Sequence, residues 1–159
     1  MNKKHFLLHD VIHDAIRQIG LRGGEKPVWL DIIIDPRMPK EFEGDHDAIR
    51  HILLNLLVNA VRCMRIGTLK LLAQSDPEGE LHRVSITVAD RGKGMTESQL
   101  GELFQETHNP PQIGRDEDGL YLYNSRALAR EMGGDIVARS WVGVGTDFTL
   151  ELPLRPSLR

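Results

Sequence analysis

The chain has 159 residues, 27% of them charged, with a formal net charge of −3. That length suits one domain able to bury a core without staples, and the near-balanced charge without a dense Lys/Arg run excludes nucleic acid and membrane surfaces as partners. The single cysteine, Cys63, excludes an internal disulfide and fits a reducing cytosol as a small core hydrophobe; no run approaches the ~20 apolar residues of a membrane span, and the start is too polar for a signal peptide.

Leu8, Val11, Ile12, Ala15, Ile16 and Ile19 fall on one face, so Phe6 to Ile19 is predicted as a helix ended by the glycines of Gly20 to Gly24. His5, His9 and His13 share a side of it and, lacking a cysteine or carboxylate at ligand spacing, read as a solvated face. Val28 to Asp35 is β-branched and bounded by Pro27 and Pro36, hence a strand. Pro36 to Gly44 reads as a loop.

His46 to Arg65 is the strongest element. Ile49, Ile52, Leu53, Leu56, Leu57, Ala60, Val61 and Met64 recur at steps of three and four and line one helical face. Asn55 and Asn59 stand one turn apart at the expected boundary between that stripe and solvent. Asparagine prefers caps and turns, so two in mid-helix are either a polar edge or amide oxygens placed for a hard cation such as magnesium.

Leu69 to Gln74 and Val84 to Asp90 read as strands separated by a turn at Ser75 to Gly79. Asp90-Arg-Gly-Lys-Gly-Met95 follows directly: an acid at a strand end with Gly92 and Gly94 lets backbone approach a ligand while a carboxylate points into the site. Thr96 and Gln99 form a capping box for a short helix with Leu100, Leu103 and Phe104 on its buried side. Residues 105 to 119 lack apolar periodicity and read as a long polar loop. Leu120 to Met132 is predicted as a helix stopped by Gly133-Gly134. Asp135 to Ser140 and Thr146 to Leu152 are strands joined by W-V-G-V-G. The fold class is α+β, with about three helices against a mixed sheet.

The order Asn59, Asp90-x-Gly92-x-Gly94, Phe104, a polar loop ending in Gly119-Leu120, then Gly143-Val-Gly-Thr146 resembles the Bergerat-fold ATPases, most closely the ATP-binding catalytic domain of sensor histidine kinases. It covers about Leu7 to Pro153. Asn55 to Met64, N-L-L-V-N-A-V-R-C-M, is similar to the nitrogen-regulation and dicarboxylate-sensing kinases. The resemblance implies a two-layer α/β sandwich: a mixed sheet covered on one face by helices, with ATP held beside the mobile loop.

It also implies roles. Asn59 would coordinate the magnesium that bridges the phosphates, Asn55 would support the metal's waters and Arg62 a phosphate. Asp90 would accept from the adenine amino group and reject guanine, whose carbonyl would face it as a second acceptor. Gly92 and Gly94 would let backbone pass the base, Met95 and Leu122 would pack near it, and the Thr146 hydroxyl would reach the adenine region. Phe104, Gly119 and Leu120 match the family's remaining boxes. The implied reaction is phosphoryl transfer to an imidazole, because Asn55 stands where the related water-activating ATPases carry a glutamate and an amide cannot take a proton.

Residues 1–159 are thus expected to form a single catalytic domain, a monomeric, cytoplasmic fragment whose parent can be membrane-anchored. Its partners would be the dimerisation and phosphoacceptor domain of the same parent and a response regulator's receiver domain. The glycine box before the last helix departs from the pattern: Glu117-Asp118-Gly119-Leu120-Tyr121-Leu122 keeps one glycine, and Asp116, Glu117 and Asp118 put three negative charges near a triphosphate. Each such pair costs on the order of 2 kcal/mol at ~7 Å and an effective dielectric of ~20 before screening. The alternative function is therefore a degenerate relative that serves as a regulatory or docking module.

Overall fold

Apolar residues alternate with polar ones along the long strands, which gives the sheet one dry face and one wet face. The computed structural model describes residues 4–22, 28–63, 67–105 and 122–157. Among them the elements run β1 (Lys4–Leu7), α1 (Leu8–Arg22), β2 (Val28–Ile34), β3 (Glu41–Gly44), α2 (His46–Cys63) and β4 (Gly67–Glu78). There follow β5 (Leu81–Asp90), α3 (Glu97–Leu103), α4 (Leu122–Glu131), β6 (Asp135–Trp141) and β7 (Gly145–Pro156).

The sheet order is β1-β3-β7-β5-β4-β2, with β6 also paired to β7. β2 and β4 run parallel and the other described pairs antiparallel, so the sheet is mixed. α2 packs on β5 and β7 and is flanked by α1 and α4. The two-layer α+β sandwich expected from the sequence is the fold observed.

α2 is more deeply placed than its stripe suggested. Every residue from Ile52 to Val61 is buried, because the helix has the sheet below it and a helix on either side. Leu54 and Val58, outside the stripe, pack against Ile19 of α1.

Several boundaries differ from expectation; β5 already begins at Leu81 and β7 runs past Leu152 to Pro156. Lys4–Leu7 is a strand: Phe6 fits a helical period but pairs with Phe42 across the β1–β3 ladder, their ring centroids 6.5 Å apart. The expected loop from Pro36 to Gly44 contains β3, whose only apolar residue, Phe42, is wholly buried. β4 runs through the expected turn to Glu78. Beyond Ala73 it has no partner on the β2 side, so Pro77, with no N–H to donate, is tolerated there. α1 continues through Gly20 to Arg22, since one interior glycine costs only about 1 kcal/mol.

Local signals at two helix ends held. Thr96 accepts from the Gln99 N–H at 3.2 Å while Gln99 Oε1 accepts from the Thr96 N–H at 3.0 Å, the reciprocal cap of α3. Leu103 and Phe104 pack against the core, although no residue of α3 itself is fully buried.

After α4 the Gly134 N–H donates to the Ala129 carbonyl and the Gly133 N–H to that of Arg130, with Gly133 at φ +87°, a Schellman ending. At Gly133 alanine would incur the left-handed penalty of about 1 kcal/mol. A β-carbon on Gly134 would lie 1.9 Å from the Glu151 carbonyl oxygen, where backbone meets backbone. Gly134→Ala is therefore expected to lower the urea midpoint more than Gly133→Ala; equal midpoints would show that this approach yields freely.

Candidate functional site

The two asparagines of α2 lie one turn apart and do different things. Asn55 is 0% exposed, and its Nδ2 donates to Ser125 Oγ of α4, while its Oδ1 has no hydrogen-bond partner. The expected place at the solvent boundary is thus corrected: α4 covers Asn55. Asn59 is 7% exposed, and its Nδ2 donates to the Asn55 carbonyl at 2.8 Å. Spending the nitrogen on the helix fixes the amide's orientation and turns Oδ1 away from that carbonyl.

The second half of the site is built from two backbone stretches in contact. A β-carbon on Gly94, at φ +71°, would lie 2.0 Å from the Trp141 carbonyl oxygen, and one on Gly145 would lie 2.1 Å from that of Asp90. The Gly143 N–H donates to the Lys93 carbonyl at 2.6 Å. The loop after β5 is thereby locked to the β6–β7 turn. Trp141 alone requires glycine at position 94.

Ser140 of β6 secures the junction: its Oγ accepts from the Met95 N–H at 2.7 Å, donates to the Gly145 carbonyl at 3.2 Å and lies 2.7 Å from Thr146 Oγ1. The Thr146 hydroxyl, expected to reach toward a base, is buried and engaged with Ser140.

Asp90, at the end of β5, is 4% exposed. Its Oδ1 accepts from the Gly92 N–H at 2.9 Å, and its Oδ2 is buried without a partner. Burial pushes this carboxyl up to about 6; the backbone N–H groups of Gly92 and Thr146 pull it down, and Asp147 adds a small push upward. An orphaned carboxylate oxygen in so dry a place is an acceptor prepared for a donor from outside the chain.

The remaining sequence candidates fall around these two halves. Met95 is half-buried against the core and Leu122, first residue of α4, is wholly in it. Phe104 is half-buried under the Arg126 guanidinium, 5.0 Å from the ring centroid, and Arg126 is in turn held by Asp135 at 3.0 Å. Arg62 belongs to α2 with its side chain outside the described residues, as are Met64, Gly119, Leu120, Tyr121 and the acidic run 116–118. His5 sits in β1 rather than on the helix, leaving His9 and His13 with ring centroids 4.2 Å apart.

Ser125 and Ser140 were missed by sequence reasoning. Both stood in signal: Ser125 continues the buried spacing of Leu122 and Ala129, and Ser140 alternates with Ile136 and Ala138. A polar residue on a dry face asks for a partner.

Residues 44–156 match the family described as "Histidine kinase-, DNA gyrase B-, and HSP90-like ATPase". The chain belongs to that family. Among curated relatives of this ATPase family, the sensor protein TorS of Escherichia coli is 37% identical over 147 residues, 91% of this chain and 15% of TorS. The non-motile and phage-resistance protein of Caulobacter vibrioides is 33% identical over 165 residues, 99% of this chain and 19% of that protein. The sensor histidine kinase ZraS of Klebsiella oxytoca is 30% identical over 148 residues, 92% of this chain and 30% of ZraS. The chain thus spans less than a third of the length of these relatives.

Among solved structures, full-length ShkA in complex with AMPPNP superposes with a TM-score of 0.79 at 23% identity, over 100% of this chain and 32% of that one. At that identity the likeness is one of fold.

The Asp90 carboxyl gives the ATPase domain a specific pH response. Burial raises the folded carboxyl to about 6, whereas the ordinary value for an aspartate is 3.8. Folded pKa above unfolded means that this residue's contribution falls as pH rises from about 4 through 6. Asp90→Asn removes the charge, so the wild-type stability, taken relative to the variant, is expected to decline over that window in urea titrations without nucleotide. A constant difference from pH 4 to 7 would contradict the burial argument.

Proposed function

We propose that this chain is the catalytic domain of a sensor histidine kinase: it binds Mg-ATP and transfers the γ-phosphate to a histidine of its parent protein. The observation that carries the reading is Asp90 Oδ2, buried and without a donor at the end of β5. The exocyclic amino group of adenine supplies the missing donor. Guanine offers a carbonyl at that position and leaves two acceptors facing each other.

The residues of α2 fit the cation. The Asn59 amide oxygen is a hard donor, and a magnesium ion that keeps most of its shell for phosphate and water needs few protein ligands. When bound there, magnesium would neutralise the charge of the phosphates. Asn59, held by the Asn55 carbonyl, presents its oxygen without further ordering.

Asn55 cannot remove a proton from water, which supports transfer to an imidazole that brings its own lone pair over hydrolysis. Positioning is then the chain's main contribution. The acceptor histidine would lie in a dimerisation and phosphoacceptor domain of the parent, and the phosphoryl group would pass on to a response regulator's receiver domain. The run from Asn55 to Met64 supports the nitrogen-regulation and dicarboxylate-sensing type, and a cytoplasmic site of action follows from the substrate.

Thermal melts in magnesium with increasing ATP are the direct test. A ligand at 100 times its Kd adds about 2.7 kcal/mol, several degrees for a domain of this size. No rise at millimolar ATP would overturn nucleotide binding and favour the docking-module alternative. In the same assay Asp90→Asn is expected to lose the preference of ATP over GTP; an unchanged ratio would remove Asp90 from the adenine site.

A further inference from the structure

The helices pack on one face of the sheet, and among the described residues the other face carries none. On it the ladder registers set side chains from β2, β4, β5, β7 and β6 in rows across the strands. One row reads Asp31, Lys70, Ala89, Asp147, Arg139. The next reads Ile33, Leu72, Thr87, Thr149, Val137. On the first row's other side Trp29 and Trp141 stand on the two outer strands, 73% and 49% exposed.

Reversed, the first row complements itself, while the second sets Leu72 over Thr149 and Thr87 over its own equivalent. The charges run minus, plus, neutral, minus, plus, and the reverse order puts an opposite sign at each charged place. A two-fold axis parallel to the strands, lying between two stacked sheets and passing over β5, performs that reversal. It sets Asp31 over Arg139 and Lys70 over Asp147 of the second copy, with Ala89 over its own equivalent. The same rotation sets Ile33 over Val137 and Trp29 over Trp141, apolar on apolar. A two-fold axis along the rows would stack each charge on itself.

None of the four charged side chains is engaged in an ion pair among the described residues. Between Asp31 and Lys70 on one side and Trp141 and Val144 on the other lies a groove of about 630 Å³, which gives the indoles room. We propose that this open face docks a second copy of the chain, sheet on sheet, about that axis.

Five strands ~4.8 Å apart and five residues of ~3.3 Å each make about 400 Å² per copy. A standard interface takes ~800 Å² per partner, so the association is weak and concentration-dependent. Sedimentation equilibrium from about 10 µM to 1 mM at low salt should show the average mass rising from 17.9 kDa toward twice that value. Lys70→Asp alone and Asp147→Lys alone should stay monomeric, since each makes two like-charge contacts with its own copy. Their equimolar mixture should associate again, because in the mixed pair every charge faces its opposite. That recovery also shows that neither variant failed to fold. A wild-type chain that remains monomeric at 1 mM, single variants that associate as it does, or a mixture that does not would each overturn the proposal.

Discussion

Where Gly94 meets the Trp141 carbonyl and Gly145 meets that of Asp90, two stretches of main chain pass with no room for a β-carbon. The surroundings of Asp90 follow from that contact. It presses the loop after β5 onto the β6–β7 turn, and Ser140 ties the junction to Met95 and Thr146. Inside it the Asp90 carboxyl is kept dry, with one oxygen satisfied by Gly92 and one left over. Domains hold such a group against its desolvation cost only where the surrounding backbone is too rigid to relax around it.

The other half of the site rests on the depth of α2. With the sheet below and α1 and α4 beside it, the helix has no room to shift, and its two amides take their orientation from the protein rather than from solvent. The Asn55–Ser125 hydrogen bond joins α2 to α4 just beside Asn59. The Asn59 amide and the helix contact are thus one structure, which gives the asparagines in the middle of an otherwise apolar helix a packing role.

Much of this was legible in the sequence. Period and punctuation gave α2, β2 and β6 nearly to their ends and the inner parts of β5 and β7, and the capping box of α3 and the glycine stop of α4 were read from side-chain and backbone chemistry alone. The signals that failed were those whose cause is distant in sequence. Phe6 satisfies a helical period, and only its pairing with Phe42 makes it a strand residue. Asn55 sits at the edge of a stripe, and only α4, some seventy residues on, makes that edge interior. No local pattern announces that Gly94 lies against the Trp141 carbonyl. The side chain of Arg62 and the box around Gly119 and Leu120 lie outside the described residues, so their roles rest on resemblance.

β7 pairs with β5, β6 and β3 and comes last among the described strands. During synthesis, β5 therefore emerges with one edge open, and Asp90 with nothing to seal it, until some sixty further residues have left the ribosome. Long-range pairing of this kind is slow and leaves a sticky edge exposed meanwhile. The cell consequently meets this domain first as an incomplete sheet, and that interval is when its open edge is most exposed to wrong pairing.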